Sequence, residues 1–253
     1  STPLYSSAAS DVYKRQSWDY SAQMGTWAVG AGIWDNMIAY QTPTFAGFTV
    51  YAQYGMGSNN NENESSSDRY YALGAKYANG PLNLYLAVDS INYQTADLAA
   101  GVDADDIDDS LTVTFGGNYD FEVLKLFAGA QYFDEAKVSS AFGLLGATDY
   151  NDTFSTKFKG WSLGVSANIP VAGGSVLVGA GYMDAEAADS QKTADKDELT
   201  RWVVSAGYDY PLSKRTNVYG ILTYAQDSME YTSKVEDQDP TVFAAMVGIR
   251  HRF

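Results

Sequence analysis

Apolar and polar residues alternate along most of this chain. Counting back in twos from the end gives Phe253, His251, Ile249, Val247, Ala245 and Phe243 on one face of a final strand, with Arg252, Arg250, Gly248, Met246, Ala244 and Val242 on the other. The same period sets out Phe48, Val50, Ala52, Tyr54 and Met56, then Tyr71, Leu73, Ala75 and Tyr77, then Leu82, Leu84, Leu86 and Val88. It continues through Leu111, Val113, Phe115 and Tyr119, through Leu124, Leu126, Ala128, Ala130 and Tyr132, through Trp161, Leu163, Val165, Ala167 and Ile169, and through Trp202, Val204, Ala206, Tyr208 and Tyr210. The intervening residues are polar or small, among them Thr49, Gln53, Asn83, Thr112, Asn118, Gln131, Ser162, Ser166 and Ser205. Period two over so many segments predicts β-strands with one apolar face each. Eleven are expected, at 36–42, 48–57, 69–77, 82–93, 110–120, 124–133, 159–169, 175–183, 200–210, 217–227 and 241–253. The pattern leaves the faces of 175–183 and 217–227 ambiguous.

The connections alternate in length. Tight turns are expected near 43–47, 79–81, 120–123, 170–174 and 211–216, while the polar segments 58–68, 94–109, 134–159, 184–199 and 227–239 make the other connections. One rim of the sheet is then short and the other long, which is the habit of outer-membrane barrels and not of soluble sandwiches. The ten steps from Phe243 to Phe253, at ~3.3 Å each and a tilt of ~40°, rise roughly 25 Å, the height of a barrel's apolar band between its aromatic girdles. Aromatic residues also gather at strand ends, where membrane interfaces favour them. The fold class predicted is all-β, an antiparallel transmembrane β-barrel.

Charge sharpens this picture. The net charge is −15, and the five polar segments hold 24 of the 31 Asp and Glu but only 6 of the 16 Lys and Arg. Acidic loops repel phosphate, so a nucleic-acid partner is not expected. There is no Cys, which excludes disulfides, thiolate metal sites and a Cys nucleophile. No window approaches the ~20 apolar residues of a spanning helix. Residues 6–16, SSAASDVYKRQ, are the translation of a transposase sequencing adapter, and 1–5 fit the end of the same library DNA. Residues 1–16 are therefore read as non-native and excluded from the fold.

The segment 36–57, NMIAYQTPTFAGFTVYAQYGMG, with the hairpins YANGPLNLYLA at 77–87 and YDYPLSKRTNVYGILTY at 208–224 and the ending GIRHRF, resembles the general diffusion porins of Gram-negative bacteria, betaproteobacterial type. The resemblance covers about 17–253. It implies a sixteen-stranded parent of which eleven strands, 6 to 16, lie in 36–253. Residues 17–35 then fall in the distal part of the loop that folds into the pore, so the parent's first five strands are missing and two sheet edges are left unpaired. It further implies a water-filled channel for ions and small hydrophilic solutes, a homotrimer in the full-length parent, contact with outer-membrane lipids and lipopolysaccharide, a periplasmic C-terminus, and no cofactor. A substrate-selective channel or a non-transporting structural or adhesion barrel are the alternatives.

In such a channel the chemistry is a field across a narrow aqueous gap, set by facing charges. Asp19 and Asp35 are the candidate acids of the constriction loop; Lys76, Lys125, Arg201, Arg250 and Arg252 fall on the polar face as candidate pore-lining bases; and Phe253 is the candidate assembly signal. The run Asp103, Asp105, Asp106, Asp108, Asp109 lacks the glycine and closing Glu of an EF-hand, so no metal site is assigned. The sole histidine, His251, falls on the apolar face, which argues against a Ser-His hydrolase. Two Asn-x-Ser/Thr triplets, at 63–65 and 151–153, and Gly30-Ala31-Gly32 are too short to carry a function.

Overall fold

The computed structural model describes residues 36–56, 69–92, 108–137, 157–188, 198–230, 237 and 239–252. The adapter-like segment 1–16, the loop acids Asp19 and Asp35, and Phe253 lie outside them. Eleven strands form one antiparallel sheet in sequence order. They are β1 Met37–Gln41, β2 Phe48–Gly55, β3 Arg69–Asn79, β4 Leu82–Asn92, β5 Leu111–Asp120, β6 Lys125–Lys137, β7 Lys157–Val171, β8 Gly174–Ala187, β9 Glu198–Pro211, β10 Thr216–Glu230 and β11 Thr241–His251. All eleven expected strands are present, and every short turn falls at or beside its expected segment. As at Gly80-Pro81, the turn at Ala172-Gly173 has only two residues. Both residues have positive φ, 51° and 78°, the two-residue geometry that matches the twist of the strands it joins.

The register settles the two ambiguous faces. Val176, Val178, Ala180 and Tyr182 of β8 stand opposite Ile169, Ala167, Val165 and Leu163 of β7 and opposite Tyr208, Ala206, Val204 and Trp202 of β9, so they share the apolar face. Val218, Gly220, Leu222 and Tyr224 of β10 join it by pairing with Ile249, Val247, Ala245 and Phe243.

Several strands run further than their alternation suggests. Parts of the segments 134–159, 184–199 and 227–239, expected as connections, are strand, because their charged and apolar residues pair across the sheet. Between Phe133 and Ala136 the β6–β7 register shifts by one. Glu135 sits in this bulge at φ 50°, and the inserted residue lets its carboxylate reach Lys157 Nζ at 3.3 Å, nearly out of solvent.

Burial is inverted relative to a soluble sheet. On the apolar face Val247 is 86%, Phe243 68%, Ile249 67% and Leu73 60% exposed, whereas on the opposite face Ser162, Arg201 and Asp227 are fully buried. Two aromatic belts bound the exposed apolar area. One, near the short turns, includes Phe48–Tyr77 and Tyr119–Phe121, both at 4.6 Å between ring centroids; the other includes Tyr54–Tyr71 at 5.3 Å, Trp161–Tyr182 at 5.4 Å and Trp202–Tyr224 at 5.1 Å.

Candidate channel wall

One hydrogen-bonded row orders the polar face. It runs Gln41, Tyr51, Gly74, Ala87, Thr114, Gln131, Ser162, Met183, Arg201, Asp227, each in register with the next. Gln41 adjoins a short turn, while Asp227 stands well up β10 from the turn that precedes Thr216. The row therefore slips about ten residues against the short rim over nine pairings. At ~3.3 Å per residue and ~4.8 Å per strand this is a strand tilt of roughly 40°, the value a closing barrel requires.

Towards the long rim the polar face carries two buried ion pairs among apolar side chains. Arg201 donates from Nε to Asp227 Oδ1 and from Nη2 to Asp227 Oδ2, both at 2.6 Å. Lys157 adds the Asp108 carbonyl, at 3.4 Å, to its pairing with Glu135. Around them Phe133, Ala136, Phe158, Met183, Ala185, Leu199 and Met229 form one buried cluster. Sequence reading missed this cluster, because most of its members lie inside or beside segments counted as polar. The signal was there in Phe133, Met183 and Leu199, which share the parity of Gln131, Gly181 and Arg201.

Midway towards the short rim, two glycines lie under tyrosines. A Cβ on Gly116 would fall 2.6 Å from Cζ of Tyr85, its register partner, and a Cβ on Gly248 would fall 2.5 Å from Cζ of Tyr219. Only a residue without a side chain lets each phenol lie flat on the wall instead of standing into the space in front of it.

At the short rim Asp209 accepts two bonds from Asn217 Nδ2, at 2.7 and 2.6 Å, and lies 3.4 Å from Arg250 Nη2; Arg250 Nε also donates to Asn217 Oδ1 at 2.9 Å. These three residues line a recess of about 350 Å³ together with Lys214, Arg215 and Arg252. The cations outnumber the one carboxylate here, so this recess is positive although the chain as a whole is acidic.

Lys76, Lys125, Arg201 and Arg250 have polar-face register positions and Arg252 follows the end of β11, yet the five are not equivalent. Lys76 is exposed, between Thr49 and Tyr85. Lys125 faces Asp120 in register but lies over the Phe127 ring, 5.5 Å from its centroid. Arg250 is held by Asp209, Arg252 is exposed at the rim recess, and Arg201 is fully buried against Asp227. His251 Nδ1 lies 2.8 Å from Thr216 Oγ1 on the apolar face. Among the described residues no group of His, Cys, Asp and Glu could hold a metal ion, and no helix is long and apolar enough to cross a membrane.

A family model described as Gram-negative porin matches residues 3–229. The chain is 33% identical over 256 residues to an outer membrane porin protein of Bordetella pertussis, covering 91% of this chain and 60% of that protein. It is 29% identical over 248 residues to outer membrane porin protein 32 of Delftia acidovorans, covering 90% and 60%. Among solved structures, an anion-selective porin from Comamonas acidovorans superposes with a TM-score of 0.60 at 24% identity, covering 91% of this chain and 65% of that one. The chain thus spans about 60% of the length of these curated relatives.

Proposed function

Because the chain belongs to the Gram-negative porin family, we propose that it supplies strands 6 to 16 of a sixteen-stranded outer-membrane barrel through which ions and small hydrophilic solutes diffuse passively in water. The observation that carries this reading is the inversion of burial. Large aliphatic and aromatic side chains are exposed on one face between two aromatic belts, and buried polar and charged groups lie on the other. Exposed apolar area on that scale is stable only against lipid, and a polar inner face is stable only against water or its own partners. Short turns on one rim fit the periplasmic side, and the long acidic connections fit the outer side, where they would meet lipopolysaccharide. The C-terminus is then periplasmic.

In this reading residues 17–35 belong to the loop that narrows the pore. Asp19 and Asp35 face the basic wall across the constriction, and Lys76, Lys125, Arg250 and Arg252 supply cationic charge, Arg201 less so because Asp227 meets it. The full-length protein assembles as a homotrimer with Phe253 as its assembly signal. Selectivity arises from the field in the gap and calls for no catalytic group and no cofactor. Liposomes containing the full-length barrel should swell in small sugars at a rate that falls with solute size. Failure to swell in any sugar would favour a plugged structural barrel and overturn the reading.

A further inference from the structure

Between the short rim and the middle of the polar face, strands β3 to β6 bring one ammonium group, two ring faces and an amide pair together in two adjacent rows, with a second ammonium, Lys125, in the row beyond. In the first row Lys76 stands opposite Tyr85, and Tyr85 opposite Gly116. In the second Asn83 stands opposite Asn118, and Asn118 opposite Phe127. Tyr85 lies over Gly116 and is 44% exposed, so it offers a ring face to the space in front of the wall. Phe127 carries Lys125 at 5.5 Å over its ring. Asn83 Nδ2 donates to Asn118 Oδ1 at 3.4 Å, which leaves the Asn118 amide hydrogens and the Asn83 carbonyl oxygen to other partners.

We propose that this patch is a subsite for solutes that carry a carboxylate on a flat aromatic ring. The reading rests on the channel function above and names a solute class for it. Each part has a chemical counterpart. The ring stacks on Tyr85, whose offset geometry with a planar partner is favourable beyond simple burial. The carboxylate accepts from Lys76 and from the Asn118 amide, and charge-assisted bonds of this kind are the stronger sort. Lys125 supplies a second positive charge within reach along the same wall. Its ammonium lies over Phe127, although Asp120 is its register partner. Gly116 acts as a positioning residue, since any side chain there would lift the Tyr85 ring off the wall.

The test uses the full-length barrel in planar bilayers, with benzoate, acetate or benzamide added on the short-turn side and the block of ion current measured. Benzoate should block most strongly, because acetate lacks the ring and benzamide lacks the charge. Lys76→Gln should weaken block by benzoate about tenfold, the scale of one charge-assisted hydrogen bond. Tyr85→Leu should erase the advantage of benzoate over acetate, whereas Tyr85→Phe should preserve it. Lys125→Gln serves as an independent variant if Lys76→Gln does not fold, as judged by heat-modifiable migration. Equal block by benzoate and acetate, or benzoate block unchanged in both lysine variants, would overturn the subsite. Current that benzoate does not touch would remove the subsite alone, while no current in potassium chloride would remove the channel reading itself.

Discussion

Arg201 and Asp227 face one another in register on β9 and β10 and close a two-pronged ion pair at 2.6 Å on each arm, with neither side chain reaching solvent. Its geometry decides what each partner is worth. Removing one side leaves a buried charge without its counterion, so Asp227→Ala should destabilise the folded barrel by about 3–5 kcal/mol. Replacing both together, Arg201→Met with Asp227→Leu, should cost much less, since the cluster of Phe133, Phe158, Met183, Leu199 and Met229 is already apolar. Urea titrations of vesicle-folded protein would measure both; equal losses for the single and double variants would show that the pair is not buried as described.

Parity along the strands gives a second prediction. Val204 is 43% and Val165 48% exposed on the apolar face, while Ser205 and Ser166 occupy the opposite one. Arg at Val204 or Val165 should cost ~2–4 kcal/mol in folding into lipid vesicles, the penalty for a guanidinium near the bilayer midplane. Arg at Ser205 or Ser166 should cost far less. Equal costs on both parities would overturn this assignment of inside and outside.

Gly248 under Tyr219 makes a third. Gly248→Val puts a branched side chain where the Tyr219 phenol now lies, and overpacking of this kind costs about 1–3 kcal/mol. The ring would swing away from the wall, so single-channel conductance should fall. Adding Tyr219→Ala to Gly248→Val should restore it. Conductance unaffected by Gly248→Val would show that Tyr219 does not border the aqueous path.

The fourth concerns salt. Exposed charges are screened beyond ~10 Å at 0.1 M, so the contribution of the acidic outer loops to ion preference should fade as salt rises, while that of a narrow constriction persists. Reversal potentials across a salt series, for the full-length barrel and for Asp19→Asn with Asp35→Asn, should separate the two. A permeability ratio that the double substitution leaves unchanged at every salt concentration would remove residues 17–35 from the constriction.

Where the sequence could be read, and where it could not, follows from how many rows of neighbours a residue needs to declare its face. In β2, β5 or β9 one strand suffices, because large apolar residues take every second place. In β8 the run Val176-Leu177-Val178 is apolar at both parities, and in β10 so is Ile221-Leu222. Only the pairing of Val176 with Ile169 and Tyr208, and of Leu222 with Ala206 and Ala245, assigns them. The charged segments misled in a different way. Glu135, Lys157 and Asp227 look like solvated loop in one dimension, yet they pair across strands and extend them. Nothing in the alternation announced the bulge at Glu135, whose effect is to turn the last residues of β6 by one step so that Ala136 meets Phe158. Parity places Lys76, Lys125, Arg201 and Arg250 on the polar face, but the pairing of Arg250 and Arg201 depends on Asp209, Asn217 and Asp227, which no spacing links to them in sequence.

The slipped row from Gln41 to Asp227 has a consequence for experiment. It is a ramp and not a ring. With the strands tilted by roughly 40°, each step to the next strand climbs about 3 Å along the barrel axis, so nine steps climb roughly 25–30 Å, the thickness of the hydrocarbon layer. Probes placed at Gln41, Ala87, Gln131, Met183 and Asp227 would therefore act as a depth gauge, reporting successive levels of the passage from the short rim to the long one.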